Sequence, residues 1–196
     1  MSNNVIERID FIRDLLVDAG DMLIVTGIGT PSSNTRAVAD RGLNFYTSGA
    51  MGAATGIGLG MALSRPDRCV TVITGDAELM MNVGTLASVA VAKPRNLSVI
   101  VIDNERFGAT GSQISHTAHG VDIAGIAKAC GFADAITVRA QGNVVGVRKR
   151  IHEKNGPYLC VAKVGPNKRM GAGPARIRDG VMTKVDFMRA LEASDA

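Results

Sequence analysis

Two residues with hard oxygen donors each follow an apolar run: Asp76 comes after CVTVIT and Gly75, and Asn104 after LSVIVI and Asp103. Each run reads as a buried strand, and the intervening segment has helical content. Strand, turn, helix, strand, turn puts both oxygens at the carboxyl ends of neighbouring parallel strands, the edge where open α/β sheets bind ligands. Carboxylate and amide oxygens suit magnesium, which is commonly held by a few protein oxygens together with a ligand's phosphates.

The elements that must position these residues come from periodicity. Val5, Ile6, Ile9, Ile12, Leu15 and Leu16 recur at helical spacing and predict a helix over about 4–18 that stops before Gly20. Met22 to Thr26 reads as a short strand. It runs into GIGTPSSNTRAVAD, expected as a loop that is either a substrate wall or, the favoured reading, an ordinary surface connection. A helix ending near Ser64, a strand over 69–74, a helix from Leu79 to Ala92 and a strand from Leu97 to Ile102 come next. DNERFGATGSQISHTAHG is then a long polar loop. The pattern closes with a helix over Val121 to Cys130, a strand over Ala135 to Val138, a helix over Gly142 to His152 and a strand over Tyr158 to Val164. Strands alternating with helices predict an α/β fold, a doubly wound and mostly parallel sheet with helices on both faces.

Residues 1–165 are expected to form that domain, and 166–196 a basic Gly- and Pro-rich tail ending in a short helix over Thr183 to Ala193. Such a helix is too short to be stable alone and must dock, with Val185, Met188 and Leu191 along one face. At 196 residues and 46% hydrophobic, the chain can bury one substantial core, so one domain is the default.

The formal charge of +4 suits an anionic ligand without requiring nucleic acid, and 4% aromatic residues leave little for stacking on bases. The basic residues at 148–150 and 168–178 are better read as solvated faces than as a nucleic-acid site. Cys69, Cys130 and Cys160 lie in or beside apolar runs without Cys-x-x-Cys spacing, as buried thiols of a cytoplasmic protein would. Neither a secretory leader nor a run long enough to span a bilayer is visible.

Small residues crowd the stretch from Gly49 to Gly60. Glycine costs a helix about 1 kcal/mol relative to alanine, so their density asks for close approach of the backbone to a ligand or a neighbouring helix. GxGxG at 56–60 is not in the strand-turn-helix position of a dinucleotide fingerprint.

The segment from SGAMG at 48–52 through FGATGSQ at 107–113 resembles the diphosphate-binding domain of thiamine-diphosphate-dependent 2-oxo acid decarboxylases. It is most similar to the beta subunits of sulfopyruvate decarboxylase and the corresponding half of phosphonopyruvate decarboxylase. FYTSGAMG upstream and VDIAGIAKACGF downstream extend the likeness over most of residues 5–165.

The resemblance implies thiamine diphosphate and Mg2+ as cofactors. Asp76, the Asn104 side-chain oxygen and the Arg106 main-chain carbonyl would be the metal ligands. Ala77 and Glu78 would present backbone N–H groups to the diphosphate at a helix start, a placement the helix dipole favours, and Gly75 falls in the same cofactor-binding stretch. The family has glycine where Ala77 stands, and the Glu78 carboxylate is expected to point away, to solvent or a basic partner. Gly49 would accept a hydrogen bond from the aminopyrimidine through its carbonyl, and Met51 would wedge between the two cofactor rings; standing alone, Met51 would read as a core methionine. Phe107 and Gly108 fall within the cofactor-binding stretch, and Thr110, Ser112 and Gln113 are expected to line the substrate pocket. His116 and His119, in the loop after Asn104, are either proton shuttles or exposed loop histidines.

The glutamate that faces the cofactor's pyrimidine in this family comes from a separate pyrimidine-binding domain, which a chain of 196 residues does not also hold. A separate alpha subunit is therefore expected as partner, with self-association as well. The substrate is expected to be a small 2-oxo acid. Ser33-Asn34 replaces the Arg-Glu pair of the sulfonate and phosphonate enzymes, with Arg36 or Arg41 as possible substitutes for the lost arginine. A carboligase of the acetolactate synthase type, and a non-catalytic α/β module binding magnesium and a nucleotide, are the alternative readings.

Overall fold

The computed structural model describes residues 5–165 and 179–195. Its centre is a six-stranded, wholly parallel sheet built from β1 (Leu23–Thr26), β2 (Asn44–Tyr46), β3 (Val70–Gly75), β4 (Leu97–Asp103), β7 (Asp134–Val138) and β8 (Tyr158–Lys163). The spatial order is β2-β1-β3-β4-β8-β7. Every residue of β4, LSVIVID, is buried, as a strand covered on both faces requires. The last β-structure, β5 (Arg106–Phe107) paired antiparallel with β6 (Gln113–Ile114), is a small hairpin beyond the end of β4.

Helices α1 (Arg8–Leu15), α2 (Thr30–Val38), α3 (Ala54–Ser64), α4 (Asp76–Met80), α5 (Thr85–Ala92), α6 (Ile123–Cys130) and α7 (Val144–His152) cover the two faces. One core cluster lies where α3, α5 and α6 meet the sheet, around Val72, Leu86, Leu97 and Leu159. The other lies under α1 and α7, around Phe11, Ile12, Ile73 and Ile100. Fully burying side chains of this size is worth roughly 1.5–3 kcal/mol each, and their even division between two faces is what makes the sheet a middle layer.

One glycine of α3, Gly58, has its explanation here. A β-carbon on Gly58 would fall 2.2 Å from Val72 Cγ2, so the helix lies down on β3 at a distance no other residue permits. The close neighbour is a strand rather than a helix or ligand.

Several expected elements change. The stretch expected as a loop over 27–40 contains α2, because Pro31 stands in the first turn, where a missing N–H costs nothing, and Ser32, Asn34 and Thr35 are buried. The helix expected over 79–92 is two helices, α4 and α5, with a turn between them. Strand β2 is too short to carry a periodic signal, and the pattern of the chain does not predict it. The long polar loop after Asn104 holds the β5–β6 hairpin and two 3-10 turns.

The terminal helix α8 (Gly180–Asp195) is longer than expected and docks on this chain. Its anchor is Phe187, which meets Phe45 edge to face with centroids 5.6 Å apart, while Met188 is exposed. Arg68, itself buried, holds the helix end by donating to Ser194 O at 3.0 Å and Asp195 Oδ1 at 2.6 Å. The tail over 166–178 lies outside the described residues. Cys69 and Cys160 are buried as expected, but Cys130 is partly exposed, and all three are free. Among the described residues no helix is long and apolar enough to cross a membrane.

Candidate functional site

Pairing of Gly75 with Ile102 brings β3 and β4 to the same level, so Asp76 and Asp103 come next to each other just past the sheet and Asn104 lies one step on. Asp76 opens α4 directly after the strand. A cavity of about 400 Å3 lies there. Its floor is Gly75, Asp76, Ala77, Glu78 and Ile102; one wall is Ile28 to Pro31 with Ser33 and Arg8, and the other is Asn104 with Arg106 to Thr110. Met51 closes the rim.

Asp76 is buried, with 2% of its surface exposed. Its Oδ2 accepts a hydrogen bond from Ser115 Oγ at 2.5 Å and lies 3.2 Å from Thr117 Oγ1. Burial pushes its carboxyl above the usual carboxylate range, the Ser115 and Thr117 hydroxyls oppose that, and the Asp103 charge adds to it. Asn104 Oδ1 accepts the Arg106 N–H at 3.1 Å, an Asx turn that fixes the amide.

Among the described residues no group of three or more His, Cys, Asp or Glu side chains could hold a metal by itself. One buried carboxylate, one amide and a main-chain carbonyl beside a roomy cavity fit a cation that takes its other ligands from phosphate and water, the usual habit of magnesium.

Glu78 corrects an expectation. Its carboxyl turns inward and is only 4% exposed. Thr74 Oγ1 donates to Oε2 at 3.0 Å, while Oε1 has no hydrogen-bond partner among the described residues. The carboxyl rests on Gly27, where a β-carbon would lie 1.8 Å from Oε2. Burial raises its pKa, against the Thr74 hydroxyl and the facing amides of Ile28, Gly52 and Gly75. It thus joins three segments of the cavity wall from inside, and no sequence period announces this.

Met51 is 39% exposed, a bulky apolar side chain at the cavity mouth rather than in the core. Its loop is tight: Gly52 has φ of 91°, its carbonyl accepts from Asn82 Nδ2 at 3.3 Å, and a β-carbon on it would meet Asn82 at 2.9 Å. Gly49, in the same loop, is exposed and is not a lining residue of the cavity. Phe107, Gly108 and Thr110 line the cavity, whereas Ser112, in the hairpin turn, and Gln113, opening β6, are not among its lining residues. His116 and His119 are exposed on a 3-10 turn, His116 edge-on to Phe107 with centroids 6.1 Å apart.

Arg36 and Arg41 are not at this cavity. They border a separate one of about 480 Å3 between α2, β2 and α8, where Arg36 lies 4.2 Å above the Tyr46 ring and Arg41 donates to the Gly20 and Met22 carbonyls. That cavity carries the acids Asp40, Asp179 and Asp186 and lacks the Asp76–Asn104 strand-end pair. Among the described residues, the cations lining the cavity with Asp76 and Asn104 are Arg8 and Arg106.

Residues 27–162 match the thiamine pyrophosphate enzyme C-terminal TPP binding domain. The chain belongs to the thiamine pyrophosphate enzymes. It is 42% identical over 135 residues to the sulfopyruvate decarboxylase subunit beta of Methanocaldococcus jannaschii, a match covering 68% of this chain and 71% of that one. It is 32% identical over 171 residues to the phosphonopyruvate decarboxylase of Streptomyces viridochromogenes, covering 87% of this chain but only 43% of that protein. Among solved structures, the benzoylformate decarboxylase of Polynucleobacter necessarius superposes with a TM-score of 0.71 at 16% identity, covering 86% of this chain and 34% of that one. The last likeness speaks for the fold alone. The family match identifies the cavity at Asp76 as belonging to a thiamine diphosphate-binding domain.

Besides lining residues such as Arg8, the sequence reading misses Asp103, the hydroxyls of Ser115 and Thr117 beside Asp76, and Lys163, which pairs with Asp103 at 2.9 Å. Asp103 carries a signal, an acid at the end of an apolar strand beside Asn104. The hydroxyls and the lysine carry none, because nothing in their surroundings in sequence ties them to Asp76.

Proposed function

We propose that this chain is the diphosphate-binding subunit of a thiamine-diphosphate- and magnesium-dependent decarboxylase of a small 2-oxo acid, sulfopyruvate- or phosphonopyruvate-like. The observation that carries the reading is the meeting of Asp76, Asn104 and Arg106 in one cavity past the ends of β3 and β4. Asp76, the Asn104 amide oxygen and the Arg106 carbonyl would hold the metal. Ala77 and Glu78 would turn main-chain N–H groups toward the diphosphate beside Gly75, where the start of a helix favours negative charge. Met51 would fix the cofactor's bend from the rim, with the Gly49 carbonyl as acceptor for its amino group. Phe107 and Gly108 would close over the cofactor, and Thr110, with Ser112 and Gln113 behind it, would shape the substrate end.

Bound thiamine diphosphate supplies the electron sink that takes up the electrons released with carbon dioxide. This chain's contribution is to bind, to orient and to exclude water. Arg8 and Arg106 make the cavity suited to an anion. His116 and His119 are the candidates for moving a proton at the product carbon from this side.

Met51 is 39% exposed at the edge of the cavity, and the pyrimidine-facing glutamate is expected from a partner chain. The naming of relatives as subunit beta, and the greater length of the phosphonopyruvate enzyme, support a separate alpha subunit. Exposed Leu63, Met81 and Val91 on and beside the uncharged helices α3 and α5 support burial in an assembly with more than one copy. A cytoplasmic location accords with the free cysteines.

The test is purification with and without the candidate alpha subunit, then measurement of carbon dioxide release from a panel of 2-oxo acids. Activity should require both chains, thiamine diphosphate and magnesium. Full activity from this chain alone would defeat the two-subunit reading, and no response to thiamine diphosphate in either form would defeat the cofactor reading.

A further inference from the structure

A buried chain of polar contacts leads from Asp76 to the far side of β4. Thr117 Oγ1 stands between two carboxylates, 2.8 Å from Asp103 Oδ1 and 3.2 Å from Asp76 Oδ2. A hydroxyl carries one proton, so the shorter contact makes Asp103 its acceptor and leaves Ser115 as the donor to Asp76. Asp103 Oδ1 also accepts the Glu105 N–H at 3.0 Å, and its Oδ2 faces Lys163 Nζ at 2.9 Å. Lys163 reaches on to Glu105 Oε1 at 2.7 Å.

Asp103 is 1% exposed, and a buried carboxylate next to another is costly unless a cation and hydrogen bonds compensate it. Lys163 is that cation. Burial works to lower its ammonium pKa, but Glu105 and Asp103 outweigh this and hold it above its ordinary value. The arrangement also has a direction. Asp103 directly precedes Asn104, its side chain fixes the turn into Glu105, and Thr117 and Ser115 reach back to Asp76 from the same loop. The Ser115 hydroxyl in turn holds Asp76 by its Oδ2.

We propose that Thr117, Asp103 and Lys163 are positioning residues that hold Asp76 and Asn104 in register and thereby set the divalent-metal affinity of the site. This rests on the reading of Asp76, Asn104 and Arg106 as metal ligands. The relay touches neither metal nor cofactor and acts only through the two side chains it orients.

Mn2+, titrated in the presence of saturating thiamine diphosphate and monitored by its electron paramagnetic resonance signal, is the probe. The protein is the full chain in the assembly in which it purifies. Thr117→Val keeps the shape and removes the hydroxyl, and Lys163→Met removes the charge. Each is expected to raise the Mn2+ dissociation constant about tenfold or more, with Thr117→Ser restoring it to within about threefold of the parent. A purely structural role would lower the melting temperature of the ligand-free variants and leave Mn2+ affinity within about twofold, and that result overturns the proposal. If Thr117→Val does not fold, Lys163→Met against Lys163→Arg gives the same comparison. Absence of thiamine-diphosphate-dependent Mn2+ binding in the parent overturns the metal reading and this proposal together. Normal binding in parent and variants alike overturns the proposal only.

Discussion

The Glu78 carboxyl rests on the Cα of Gly27, at a distance where the β-carbon of any other residue would overlap it at 1.8 Å. A charged side chain has thus been folded under the cavity it was expected to face away from, and the end of β1 has been stripped to a glycine to admit it. Gly27→Ala should therefore force the carboxyl to move, at a cost of about 1–3 kcal/mol, the usual range for overpacking. Denaturant unfolding of Gly27→Ala, Glu78→Ala and the double variant checks this: the alanine at 27 should cost much less once Glu78 is shortened. Additive losses would show that the contact is not the cause.

Asp76→Ala should abolish stabilisation by cofactor and metal together. A parent protein at a hundred times the dissociation constant of its ligand gains about 2.7 kcal/mol, which thermal melting detects easily. The variant should melt at the same temperature with and without thiamine diphosphate and Mg2+. A retained shift would remove Asp76 from the set of metal ligands.

Met51 separates function from folding. Being 39% exposed in this chain, it supports little of the core, so Met51→Ala should change stability by no more than about 0.5 kcal/mol. Decarboxylation by the complete assembly should fall at least about tenfold, equivalent to about 1.4 kcal/mol of barrier. Unfolding and steady-state rates on the same preparation decide whether the side chain is a wedge or a core residue.

Phe187 is the apolar anchor of α8, and Phe187→Ala should cost about 3 kcal/mol or more by emptying its place against Phe45. Limited proteolysis should then cut within 180–195 at protease levels that spare the parent.

The polar end of the same helix is sensitive to acid. Arg65, and after it Arg68, hold the Asp195 carboxyl below its ordinary range. A depressed carboxyl contributes stability that is complete above its unfolded value of about 3.9 and is lost as pH falls through the lower folded value. Hydrogen exchange in α8 should accelerate relative to the sheet as pH drops below about 4, and Asp195→Asn should exchange fast on both sides of that point. Relative protection unchanged across that range would mean that the ion pairs do not hold the helix.

The strands β3 and β4 are legible in the sequence because CVTVIT and LSVIVI can only be buried, and the end of each strand fixes the place of the next residues. Asp76 and Asn104 are readable for the same reason. The terminal helix is readable as something that must dock, but its buried face only in part: of Val185, Met188 and Leu191, Leu191 packs against the core and Met188 is exposed, while the main anchor is Phe187, because β2, itself too short to predict, offers Phe45.

By itself, then, the sequence determined the main strands and helices, though not α2, β2 or the break between α4 and α5, and the strand ends at which Asp76 and Asn104 stand, since apolar runs and turn residues act locally. Only the tertiary structure decided which way Glu78 points, and that Ser115, Thr117 and Lys163 stand behind Asp76 and Asp103. These contacts join the ends of separate strands and a loop, and their distances are set by sheet register and helix packing rather than by spacing along the chain.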